Sequence, residues 1–69
     1  MAKSIQDVLN QESYNWMCAN LPELADAIET EVAGGLKPGT VKARVLRHTQ
    51  RPELAQRCYL AAMWLDGGQ

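Results

Sequence analysis

The side chains best able to do covalent or acid–base chemistry in this 69-residue chain are one histidine, His48, and two cysteines, Cys18 and Cys58. A thiolate beside an imidazole would be a nucleophile with its base. That chemistry needs a prepared thiolate and hydrogen-bond donors for an oxyanion, and nothing in the local sequence supplies either. His48 stands among Lys42, Arg47 and Arg51, which suit a charged surface better than a catalytic base. One histidine and two distant thiols do not make the closed ligand set of a metal site. Gly34, Gly35 and Gly39 do not form a phosphate-cradling loop, because Lys37 precedes Gly39 instead of following it. The chain is therefore expected to be non-catalytic, with no metal, no cofactor and no small-molecule substrate.

Recognition is the chemistry left. Thr40, Arg44, Arg47 and Arg51 recur at steps of four, three and four, which lines them along one narrow face of a helix. Val41, Val45 and Thr49 then point inward, and Lys42 must run its stem along the apolar side. A basic helix of this kind could enter a major groove as a small helix-turn-helix-like DNA-binding regulator. Two features oppose that reading. The break from Gly34 to Gly39 is longer than a compact helix-turn-helix uses, and residues 1–35 carry a net charge of −5 against +5 for residues 36–57, so phosphate attraction is opposed over part of the surface.

The C-terminal segment carries a stronger signal. Leu54, Cys58, Ala61 and Leu65 form a core stripe flanked by Ala55 and Ala62, which turns Leu60, Met63 and Trp64 to the side of Glu53, Gln56 and Arg57. A helix apolar nearly all round is central in its fold or covered by a partner. Four short helices can hardly surround a central one, so Leu60, Met63 and Trp64 are predicted to dock on another chain, with Tyr14 and Met17 extending the exposed patch. Asp26, Glu29 and Glu31 form an acidic face and Arg44, Arg47 and Arg51 a basic one, placed to set the orientation of docking. Glu12, between Leu9 and Trp16, is expected to reach water from the core edge or to pair with Arg57 or Arg44.

These residues need helices to position them. Ser4, with Asp7 three residues on, begins a first helix whose inner face is Ile5, Val8, Leu9, Trp16 and Ala19. Pro22 opens a second, with Leu24, Ala25, Ile28 and Val32 inward, closed by Gly34-Gly35 with Leu36 folding back. Pro38-Gly39 reads as a tight turn before Thr40, the N-cap of a third helix. Pro52 opens a fourth, which Gly67-Gly68 follows. The spans are about 4–19, 22–33, 40–49 and 52–65. Pro-Glu-Leu-Ala occurs at both 22–25 and 52–55, which a shared way of starting a helix explains.

The predicted fold is all-α, a compact four-helix domain of two consecutive helical hairpins spanning 1–69. No apolar run reaches the ~20 residues of a membrane helix, and the first residues lack the apolar stretch of a secretory signal. A cytoplasmic protein with two reduced, largely buried thiols is expected. The composition favours a protein–protein interaction module (adaptor, assembly or small inhibitor) whose partner is another protein or a second copy of itself. Nucleic acid is the alternative partner.

Overall fold

The computed structural model describes residues 3–67. These form four α-helices: α1, Ile5–Asn20; α2, Pro22–Ala33; α3, Pro38–Thr49; and α4, Pro52–Asp66. Among the described residues there is no strand, and the fold is all-α. Gly68, the second glycine expected after the last helix, lies outside the described residues.

The helix ends follow from local chemistry. Ser4 is extended, and its Oγ accepts the Asp7 amide at 3.1 Å, satisfying a first-turn N–H that has no partner within the helix. Pro22, Pro38 and Pro52 each stand at the first helical position, where a missing N–H is no loss. Gly35 takes φ 104°, letting the Leu36 amide reach Glu31 O and its own amide reach Val32 O, both at 3.0 Å. This double closure turns the chain and brings Leu36 onto the core. Gln50 ends α3 with φ 56°, a left-handed conformation that glycine would adopt more cheaply.

The start of α3 corrects the expectation at Thr40. Pro38 and Gly39 are helical, Lys37 is the N-cap, and the Thr40 amide bonds Lys37 O at 3.0 Å. A proline whose ring already fixes the helical φ begins the helix two residues before the threonine expected to cap it.

Consecutive helices pack on one another in both halves of the chain, and the halves join most extensively through α1 and α4. α4 is central, packed against all three other helices. Its neighbours do not close around it, since Leu60, Met63 and Trp64 stay half-buried and Glu53, Gln56 and Arg57 exposed, and side-chain size decides how closely they approach the side they cover. α4 buries Leu54, Ala55, Cys58, Ala61 and Ala62, and four of these five are small enough to let neighbouring helices come close. Met17, Ile28, Val41 and Cys58 are the largest side chains sealed completely.

α1 is the second correction. Its buried residues are Asn10, Ser13 and Met17, while Ile5, Val8 and Leu9 are exposed. At 3.6 residues per turn, the Ile5–Leu9–Trp16 stripe is rotated about 100° from the Asn10–Ser13–Met17 face. The polar atoms of the buried face are partnered: Ser13 Oγ donates to Arg57 O of α4 at 2.8 Å, and Asn10 Oδ1 accepts from Gln6 Nε2 at 2.8 Å. Small Ser13, bonded to the Arg57 carbonyl of α4, admits a backbone approach that Leu9 or Trp16 would prevent.

Candidate functional site

α1 and α4 run antiparallel side by side, as their contacts show: Lys3 lies over Trp64, and Ser13 meets Arg57. α1 turns Ile5, Val8 and Leu9 away from the core while Trp16 packs against it, and Leu9 and Trp16 lie beside Leu60 on the outer side of α4. Ile5 is 81% exposed, Leu9 49% and Val8 44%. Leu60, Met63 and Trp64 are half-buried. The apolar surface predicted on α4 alone is therefore shared, and its most exposed members stand on the first two turns of α1.

An open groove of about 410 Å³ runs along this face, with Leu9, Ser13 and Trp16 on one wall and Gln56, Arg57 and Leu60 on the other. Its charged groups are specifically placed. The Arg57 guanidinium stacks over the Trp16 ring, 4.1 Å from the centroid, a cation–π contact on a ring that also packs against the core. Glu12 and Glu53 border the groove and are exposed. Among the described residues no ion pair joins Glu12 to Arg57 or Arg44, and of the two expectations the exposed carboxylate at the core edge is the one observed. At the far end, the Lys3 ammonium sits 5.0 Å from the Trp64 centroid and donates to Gln11 Oε1 at 2.8 Å.

Two residues assigned to the exposed patch lie elsewhere. Met17 is 0% exposed and belongs to the core, a correction that follows from the rotation of α1. Tyr14 is half-buried and packs against that core, and its hydroxyl donates to Glu29 Oε2 of α2 at 2.8 Å. That donated bond raises the Tyr14 pKa well above the usual phenol range, with a contact to Cys18 adding to it.

The acidic face lies on α2 and Arg44 and Arg47 lie on α3, but Arg51 corrects its assignment to that helix face: it follows the left-handed Gln50 and is the N-cap of α4. Asp26, Glu29, Arg44, Arg47 and Arg51 are exposed and Glu31 is half-buried. Arg44 Nη1 lies 3.7 Å from Glu31 Oε2, so the acidic and basic faces meet across a cleft of about 180 Å³ floored by Leu24, Ile28 and Val45. An exposed pair at that distance contributes little to stability. Lys42 is half-buried with its ammonium 5.5 Å from the Tyr59 centroid, the stem lying along the apolar side as its phase required. Thr49 corrects its inward assignment: it is exposed, and its Oγ1 donates to Val45 O at 2.7 Å. Leu46 is 40% exposed.

The groups with intrinsic reactivity stand apart. His48 is exposed on the lip of the α2–α3 cleft. Both cysteines are free; Cys58 is buried, but Cys18 is exposed, which corrects the expectation of two buried thiols. Burial pushes the Cys58 thiol up to about 11, away from the thiolate. Among the described residues no three His, Cys, Asp or Glu side chains converge as metal ligands, and no helix is long and apolar enough to cross a membrane.

Sequence periodicity located the apolar stripe of α1 but assigned it to the inside. The signal that could have reversed this was the Asn10, Ser13, Met17 spacing of three and four, a narrow face suited to the alanine-rich side of α4. Compared with protein-family models, with curated proteins and with solved structures, the chain matches none.

Proposed function

We propose that this chain is a non-catalytic protein-docking module, and that its contact face is the exposed stripe of α1 together with Leu60, Met63 and Trp64 of α4. One observation carries the reading: α1 buries Asn10 and Ser13 while leaving Ile5, Val8 and Leu9 in water. Contiguous apolar side chains bordered by charges are the usual composition of a protein contact, with aromatic and Met side chains enriched at its centre. Ile5→Asp and Leu9→Asp test this. Both lie on the surface, so thermal stability of the monomer should move by no more than about 0.5 kcal/mol. Complexes recovered with the tagged chain from its own cell extract should be lost. Retention of every complex in both variants would remove the proposal.

A second reading, a small DNA-binding regulator, is favoured by one observation. With α3 beginning at Pro38, only Gly34–Lys37 separate α2 from α3, the turn length that a helix-turn-helix uses. Arg44 and Arg47 of α3, with Arg51 just beyond its end, would then meet phosphates or base edges. The acidic α2 alongside, and Glu31 next to Arg44, work against it. Reversing all three arginines to glutamate should abolish a salt-dependent shift of duplex DNA, and no shift of the native chain at low salt would end this reading.

A further inference from the structure

We infer that the cleft between α2 and α3 binds a small organic anion with an apolar body, a single ring lying on Leu24, Ile28 and Val45 and its carboxylate meeting Arg44 and His48. Other helices build this cleft than build the α1–α4 face, so the inference stands apart from the docking reading.

The cleft follows from how its two helices are held. Gly34–Lys37 join α2 to α3, yet each packs more extensively on α4 than on the other. Ile28 and Val41 are sealed by that packing. Leu24 and Val45 stay half-buried and line the space left between the helices. Exposed Ala27 stands at its edge, too small to fill it. The space measures about 180 Å³, and an apolar cavity of about 150 Å³ holds one benzene ring.

The lip selects the charge. Thr49 is already engaged, since its Oγ1 donates to Val45 O at 2.7 Å and accepts the Arg51 amide at 3.2 Å. The side-chain donors left on the lip are the Arg44 guanidinium and the His48 imidazole, four residues apart on α3 and so on one side of that helix. Glu31 is the one acidic side chain among the described residues lining the cleft, and its Oε2 lies 3.7 Å from Arg44 Nη1, beyond hydrogen-bond distance. A guanidinium carries five N–H donors, so Arg44 retains donors for a second carboxylate. Arg44 also borders an adjoining groove with Thr40 and Arg47, which adds a second guanidinium nearby. One carboxylate therefore faces two guanidinium groups and an imidazole, and that excess favours an anion over a cation.

Titration of the labelled full chain with 3-phenylpropanoate, followed by nuclear magnetic resonance, is the test. Saturable ring-current shifts should appear on the methyl groups of Leu24, Ile28 and Val45, while those of Ile5 and Leu9 stay still. Acetate, which has no ring, should move none of them. 3-Phenylpropan-1-ol should bind roughly tenfold more weakly than the carboxylate, and Arg44→Gln should lower the carboxylate to the level of the alcohol. Glu31→Gln should tighten the carboxylate by about threefold. Ala27→Leu fills the cleft from its edge and should abolish the shifts with an unchanged far-UV circular dichroism spectrum. The inference is overturned by the absence of saturable shifts, by shifts centred on Ile5 and Leu9, or by a response that Ala27→Leu leaves intact. An alcohol, or 3-phenylpropylamine, that binds as tightly as the carboxylate overturns it equally. Ile5→Asp and Leu9→Asp should titrate as the native chain does, so failure of the docking reading and failure of this one are separable.

Discussion

Burial and hydrogen bonding set apart the side chains that could titrate or react. Cys58 lies among Ala61, Ala62 and Met17 with no water to solvate a thiolate, and its pKa rises from 9.0 to about 11. Tyr14 is raised by the bond it gives Glu29. In both, the folded chain holds its proton at a pH where the unfolded chain releases it. Their contribution to stability is complete below pH 9 and is lost as pH rises from there through about 11 and beyond. Thermal midpoints should therefore be level from pH 7 to pH 8.5 and decline above pH 9, with a shallower decline in Tyr14→Phe. The same burial separates the two thiols kinetically. An aromatic disulfide reagent at neutral pH should titrate one thiol in the native chain, that of exposed Cys18, and two after denaturation. Rapid reaction of both in the native chain would mean that α4 is not sealed.

At the scale of the helices, turns and first turns decide where each element starts and stops, and two glycines should respond oppositely to the same substitution. Gly35 has φ 104°, a region a β-carbon enters only with strain although no neighbouring atom obstructs it. Gly35→Ala should destabilise by about 1–2 kcal/mol. Gly39 lies in the first turn of α3 with open space around its Cα and no such φ. Gly39→Ala should stabilise by about 0.4–1 kcal/mol, because it restricts the unfolded chain more than the folded one. Chemical denaturation of the two variants measures both signs, and the same sign for both would show the α2–α3 turn to be wrongly assigned. The length of that turn matters to function as well, since it sets the angle at which Arg44 and Arg47 leave the body.

The whole molecule is small and is organised around one helix of small side chains. α4 touches every other helix, so the large core residues of α1, α2 and α3 all pack toward it. Met17→Ala would leave a cavity where α1 meets α4 and should cost about 2–5 kcal/mol, a large share of what a chain of this length has to spend. Leu46→Ala, at a side chain 40% exposed on α3, should cost less than about 1 kcal/mol. Similar losses at both positions would contradict the burial pattern. A core this thin also gives association a physical role: covering Ile5, Val8 and Leu9 removes apolar surface from water that the four helices alone leave exposed.

The sequence by itself determined four helices, most of their boundaries and the inner faces of α2 and α4. Those depend on neighbouring residues: proline at a first helical position, serine accepting an amide three residues on, glycine at a left-handed turn, and apolar side chains repeating every three or four residues. The fold class was legible for that reason. The tertiary structure alone decided which side of α1 is inside. Periodicity reports where a helix is apolar, but burial depends on which sides its neighbours cover. The alanine and cysteine surface of α4 accepts the slender Asn10–Ser13–Met17 face closely and offers Ser13 a carbonyl. The larger Ile5–Leu9–Trp16 stripe is left beside the contact, so Met17 moved from the expected surface to the core and the apolar patch moved from α4 toward α1.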